Sequence, residues 1–395
     1  MKPRGKIVKG QHEVQPHPAQ GASPARRTSA PPRLAPALLA PVLLASIAVA
    51  SALLTTAAHA ETCTTQSGLQ TPERDAIASV ARSLATFVQQ NNTAALQAAA
   101  VGVVARDFSA MQYLVGSTAP RLAGDVPIVD QVYLLDATTI AKNPDGSATD
   151  AQFYCSLNRS TMEVEFVIPA LPPGKYAFAI VNLQPAPDAP KAIPYRLSFL
   201  LRQEAPSAPA AQSQANPPQA RWMLAGFYPR ATTAAGHDGL WYWTQARQMA
   251  ANKQPWNAWL YYQAAAKLLQ PADFVLSTHL DKLRTEAAAA APPALSEGVS
   301  VDAPLVVKGA DGTEYHFTGL GVNDSLGPSS LDVEAHLRVD AGADPAAARK
   351  RNNAAASALL AAYPELRKAF HGVWIYAETP GQNPFATEEP MVDIK

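Results

Sequence analysis

The sequence predicts an α+β protein assembled from more than one compact unit. Apolar residues first recur at helical spacing, from Ile77 to Leu114, and then alternate with polar ones in short runs as far as Tyr228. A Trp- and Tyr-rich helical stretch follows, and after Pro304 the alternation returns. The 395 residues suffice for two or three domains, and 48% hydrophobic against 16% charged residues supports buried cores under a weakly charged surface. The 35 prolines, with abundant alanine, fit ordered blocks joined by Pro/Ala spacers.

Residues 1–60 read as an export signal. A basic, Pro-rich stretch runs to Arg33, and an uncharged apolar run interrupted by Pro36 and Pro41 covers residues 35–54. Ala58-His59-Ala60 then has the small-x-small pattern that signal peptidase accepts, so cleavage is expected after Ala60 and the product in the periplasm or outside the cell. The apolar run is long enough to span a bilayer, so a membrane contact is expected only through an uncleaved leader. Cys63 is not preceded by the apolar-small-small run of a lipidation site, and Arg26-Arg27 lacks the apolar pair of a twin-arginine signal. Seven of the 32 basic residues and one of the 32 acidic ones precede Ala60, which leaves 25 basic against 31 acidic in the mature chain. That balance argues against nucleic acid as a partner and against a charge-held membrane surface.

The helical opening starts at Thr71-Pro72-Glu73, a hydroxyl cap, a first-turn proline and an acid. Ile77, Val80, Leu84 and Phe87 make one apolar stripe, Asn91-Asn92 stops it, and Thr93 is placed to cap a second helix. Phe108, Met111 and Leu114 continue the helical spacing. Strands are expected at residues 131–136, at Met162, Val164, Phe166 and Ile168, at Tyr176, Phe178 and Ile180, at Tyr195, Leu197, Phe199 and Leu201, and at residues 221–228. Asn143-Pro144-Asp145-Gly146 and Pro172-Pro173-Gly174 are turns, and residues 205–220 form a mobile Pro/Ala/Gln loop. After the break at Gly236-His237-Asp238-Gly239, helices are expected over residues 240–251, from Pro255 to a stop at Pro271, and over 272–289. An Ala/Pro linker covers 287–294. Asp311-Gly312 then turns a hairpin, and Val333, Ala335, Leu337 and Val339 form a third strand. Asp344-Pro345 caps a long helix that Pro364 interrupts and Gly372 ends, and residues 373–377 make a last buried strand. The domain plan is thus a leader at 1–60, an α+β unit at 61–230, a helical segment at 236–290 and a second α+β unit at 296–395.

The helical opening, the strand with Leu197-Ser198-Phe199 and the later Trp222-x-x-Ala225-Gly226-Phe227 together resemble the NTF2-like superfamily over about residues 71–230. The resemblance implies a cone of helices wrapped by a curved antiparallel sheet, commonly around a pocket. Some relatives are isomerases or dehydratases with an Asp/His pair inside, and many only bind or assemble. No histidine lies between Cys63 and Arg230, so the resemblance implies binding or assembly here. The rival is a β-sandwich, since Leu171-Pro172-Pro173-Gly174-Lys175-Tyr176 resembles a turn of bacterial Ig-like domains. Ala258, Tyr262 and Ala265, with Pro271 beyond, resemble the second helix of a tetratricopeptide repeat, seen once, over about residues 240–271.

Cys63 and Cys155 both fall in the mature chain, where an exported pair is free to oxidise; two free thiols are the alternative. With no histidine near, they make no zinc site. The histidines of the mature chain, His237, His279, His316, His336 and His371, form no H-E-x-x-H pattern. Glu314 with His316, and Glu334 with His336, follow the same alternation on strands expected to neighbour each other. They can converge as a metal or acid/base cluster, or simply make a solvated sheet face. His371-Gly372 reads as a helix cap. There is no Gly-x-Ser-x-Gly elbow, and Gly319-x-Gly321 lacks the third glycine of a dinucleotide loop, so no cofactor and no metal is assigned. The most unusual composition is Trp241, Trp243, Trp256, Trp259 and Tyr262, four of the six tryptophans within one short segment. Such amphipathic rings suit a protein or glycan partner, or else pack the segment as a bridge between its neighbours. The function expected is an exported, non-catalytic binding or scaffolding protein of the cell envelope. The alternative is a secreted enzyme with its site on the C-terminal sheet.

Overall fold

The computed structural model describes residues 61–395 apart from 144, 185–192, 206–219, 297, 328 and 341–343. The expected leader with its Ala60 cleavage point, and most of the expected Pro/Ala loop, lie outside the described residues. The class is mixed helix and sheet, as the alternating periodicities require. No helix among the described residues is long and apolar enough to cross a membrane.

The first half opens with strand β1 (Thr62–Thr65) and four helices, α1 (Thr71–Gln89), α2 (Thr93–Ala98), α3 (Gly102–Arg106) and α4 (Ser109–Thr118). Strands β2 (Val126–Asp136), β3 (Ala151–Asn158), β4 (Glu163–Leu171), β5 (Lys175–Gln184), β6 (Tyr195–Glu204) and β7 (Arg221–Ala231) follow. The main sheet runs β1-β2-β5-β6-β7 with every neighbour antiparallel, while β3 and β4 form a hairpin of their own. Pro72 sits in the first turn of α1, but the cap of α2 is Asn92, whose side chain accepts from the Ala95 N–H, and not Thr93. The buried stripe of α1 is Ile77, Ala81, Leu84, Ala85 and Val88; Val80 and Phe87 lie at its edges. Strand β5 is buried on both faces. Ala177, Ala179 and Val181 pack on the helices, and Tyr176, Phe178 and Ile180 pack under the β3–β4 hairpin. The result is three layers: helices, sheet and hairpin. Strand β3 has no clear sequence signature because its inward positions, Ala151, Phe153 and Cys155, include a small residue and a thiol and leave a weak alternation. Cys155 forms a disulfide with Cys63, which fastens β1 to the hairpin.

The second half holds a small ribbon, β8 (Thr233–Ala234) with β9 (His237–Asp238), and helices α5 (Gly239–Ala251), α6 (Pro255–Leu269) and α7 (Thr278–Ala290). Then come β10 (Leu305–Lys308), β11 (Glu314–Asn323), β12 (Asp332–Arg338), α8 (Pro345–Ala362), β13 (Gly372–Glu378) and β14 (Phe385–Pro390), in a sheet of that strand order. Strands β12 and β13 are parallel because α8 carries the chain back between them; the other pairs are antiparallel. Asp344 caps α8 by accepting from the Ala346 and Ala347 N–H groups. Three expectations are corrected. Helix α7 begins at Thr278, since Leu276 is instead bridged to Val167 of β4. The segment from Pro364 is a short 3-10 turn, and Gly372 opens β13 rather than closing a helix. The last strand is β14, whose mixed polar sequence hides it. One continuous core joins Tyr242, Trp256 and Leu260 of the helices to Phe317, Val333 and Ile375 of the sheet and Leu359 of α8. At its centre the buried Asn352 amide donates to the Ile375 and Phe385 carbonyls and the Thr387 hydroxyl, tying α8 to β13 and β14.

Candidate functional site

The aromatic segment is mostly interior. Trp243, Trp256 and Tyr262 are 9%, 6% and 3% exposed, and Trp241 and Trp259 are half-buried against the same core. The Trp256 ring lies 3.9 Å from that of Tyr363, and Trp241 stacks on His237 at 3.6 Å. Trp243 donates its Nε1–H to Glu286 (2.8 Å), which also takes a two-pronged contact from Arg247 (2.7 and 2.8 Å). Arg247, and after it Trp243, hold the Glu286 carboxyl down to about 2. These rings bridge structural layers and present little free surface. Two-residue spacing on a helix sends Trp241 and Trp243 in different directions, and both find the core because it wraps the helix pair.

On the C-terminal sheet, Val333, Ala335 and Leu337 face the core, so Asp332, Glu334 and His336 face the other way. Glu334 Oε1 lies 3.0 Å from His336 Nε2, and Glu378 Oε1 lies 2.7 Å from Nδ1. The Glu334 carboxylate first, and Glu378 after it, raise the imidazole to about 9 against the opposing effect of burial. Such a ring is protonated at neutral pH and has no lone pair to accept a proton, which suits it to charge pairing and not to general base catalysis. Asn323 Nδ2 donates to Glu334 (2.9 Å), and Tyr376 stacks on His336 at 5.3 Å. His316 reaches only Glu314, at 3.9 Å. The bulge between Phe317 and Gly319 sets Phe317 opposite Leu337 and Gly319 opposite His336, so the two Glu/His sets share a face. Among the described residues, no three of these four bring their donor atoms within 4.8 Å of one another.

A different trio does. Among the described residues, Asp332, His371 and Glu388 are the group whose donor atoms all lie within 4.8 Å of one another. His371 Nδ1 is 3.1 Å from Asp332 Oδ1, so this histidine bonds a carboxylate and does not cap a helix. Trp374 Nε1 donates to Asp332 Oδ2 at 3.1 Å. Glu388 Oε1 is buried with no hydrogen-bond partner, and burial, followed by the Asp332 charge, pushes the Glu388 carboxyl up.

A hollow lies where three parts of the molecule meet. A cavity of about 240 Å³ is walled by the end of α4, the edge of β6 and β7, α6, and the loop after β11. Arg121, Arg230 and Lys267 line it, and Asp324 is the only acid among the described residues on its wall. Arg121 Nη1 donates to the Tyr195 hydroxyl (3.1 Å), and Arg230 pairs with Asp273. Among the described residues, neither Arg121 nor Lys267 enters an ion pair. Arg196, cross-strand from Arg230, reaches over to the Leu268 carbonyl at 2.7 Å; burial, and then Arg230, lowers its guanidinium. Positive charge therefore collects here, although residues 61–395 hold more acids than bases. The sequence carries no hint of it, because Arg121, Arg230 and Lys267 lie on three separate elements. The trio on β12–β14 left a trace, the every-second run Asp332, Glu334, His336.

Comparison with protein-family models, with curated proteins and with solved structures finds no match for this chain.

Proposed function

We propose that this chain is an exported, non-catalytic binding protein of the cell envelope whose ligand is a small anion, carboxylate or phosphate, held in the junction cavity. The observation that carries the reading is the convergence of Arg121, Arg230 and Lys267 on one hollow facing a single Asp324. A hollow of about 240 Å³ is below the ~300–1,000 Å³ usual for drug-sized ligands, so the ligand is small. The Cys63–Cys155 bond supports an oxidising compartment, and with it the cleaved leader. In this reading the first half is an NTF2-like cone, supported by helices seated on one face of an antiparallel sheet, and α5–α6 is a tetratricopeptide-like hairpin that props the cavity wall. The enzyme alternative on the C-terminal sheet is disfavoured by the protonated state of His336 and because no three of its four expected residues bring their donor atoms within 4.8 Å of one another.

The test is thermal melting of residues 61–395 with inorganic phosphate or succinate. At a hundred times the dissociation constant, a bound anion stabilises by about 2.7 kcal/mol, which raises Tm by about 4 °C for a chain of this length. The rise should grow with the logarithm of anion concentration and should vanish in the Arg121→Ala/Lys267→Ala double variant. No shift with either anion, or an equal shift in the double variant, removes the proposal.

A further inference from the structure

We propose that Asp332, His371 and Glu388 form a site for a borderline first-row divalent cation such as zinc, bound through one imidazole nitrogen and two carboxylate oxygens. The site is independent of the junction cavity and is built by three strands. Asp332 opens β12, His371 directly precedes β13, and Glu388 sits on β14 opposite Trp374. The parallel register puts Asp332 beside Gly372, and the two carboxylates close over that glycine from either side. A Cβ at position 372 would stand 2.7 Å from Glu388 Oε1 and 3.1 Å from Asp332 Oδ1, so only glycine lets both oxygens in.

Three features separate this trio from an ordinary surface hydrogen-bond cluster. Asp332 is fully buried, where a carboxylate is costly unless its charge is met. Glu388 Oε1 is buried with no hydrogen-bond partner, and it shares the space over Gly372 with Asp332 Oδ1. The spacing also suits a cation. Bonds of about 2.0–2.1 Å in a tetrahedron set neighbouring ligand atoms about 3.3 Å apart. The Asp332–His371 pair is already at 3.1 Å, and all three atoms lie within 4.8 Å, so small side-chain shifts complete the geometry. Trp374 Nε1 holds Asp332 Oδ2, which leaves Oδ1 for the ion and fixes its direction. The neutral imidazole tautomer with its proton on Nε2 offers the Nδ1 lone pair to the cation. His371 is about half exposed, at 49%, which provides the entry path and leaves the remaining coordination positions to water.

The experiment is calorimetric titration of chelator-treated residues 61–395 with zinc chloride. The expected result is one saturable equivalent per chain. His371→Ala and Glu388→Gln should each weaken binding at least tenfold, while His316→Ala leaves it unchanged. His371 is half exposed and Glu388→Gln keeps the shape, and melting curves establish that both variants are folded. No saturable uptake, or binding by His371→Ala and Glu388→Gln equal to the parent, overturns the site. So does uptake that His316→Ala abolishes.

Discussion

At the scale of single residues, His336 sets the charge balance of the C-terminal sheet. Its imidazolium lies between Glu334 and Glu378, and its folded-state value of about 9 stands above the unfolded value near 6.5. Because the folded value is the higher one, this pairing contributes fully below about pH 6.5. The contribution shrinks as pH rises, and it is gone once the folded imidazole loses its proton above about 9. The ring is partly solvated, so the effect on stability is modest. We expect the Tm of residues 61–395 to decline between pH 6.5 and 9.5, and His336→Gln to flatten that decline while lowering Tm at pH 6. Equal slopes for parent and variant would show that the pairing carries no stability. The sequence placed Glu334 and His336 on one strand face correctly, since period-two alternation is local. Glu378, the second partner, left no sign there, because it comes from the next strand through a parallel register that the α8 crossover creates.

At the scale of elements, the α5–α6 crossing depends on Gly239. A Cβ there would meet Leu269 Cγ at 2.6 Å and the Ala265 carbonyl oxygen at 3.2 Å. The Leu269 side chain is able to shift, but the Ala265 backbone belongs to the middle of α6. Gly239→Ala should therefore cost about 1–3 kcal/mol through overpacking, more than the up to ~1 kcal/mol that alanine gains in helix propensity. Thermal melting is expected to show a net fall in Tm, and an unchanged Tm would mean that α5 slides freely on its partner. Helix starts at Pro72, Pro255 and Pro345 were all legible, because a first-turn proline restricts its own backbone wherever the helix later packs. The missed strands β3 and β14 and the late start of α7 share one cause. Each is determined by what it pairs with: β4, β13 and Val167.

At the scale of the whole molecule, the Cys63–Cys155 bond closes a loop with a sequence separation of 92 and anchors the first strand of the described chain. On the chain-entropy account such a loop is worth about 4–5 kcal/mol. Reduction, or Cys63→Ser with Cys155→Ser, should lower Tm by about 6 °C, and equal melting with and without reductant would show that the bond leaves stability untouched. The sequence marks the two cysteines as a candidate pair, but their spacing alone leaves bonded and free thiols equally open. Only the approach of β1 to the hairpin, with the Cα atoms 5.2 Å apart, joins them. The sequence by itself determined the class of fold, the order of most helices and strands and the inward face of several, because periodicity, caps and turns act over a few residues. The tertiary structure alone decided that the tryptophans are core, that three cations share a cavity, and that Asp332, His371 and Glu388 meet over a glycine. Those outcomes depend on contacts between residues far apart in the chain, set by strand register and layer packing, which no local pattern encodes.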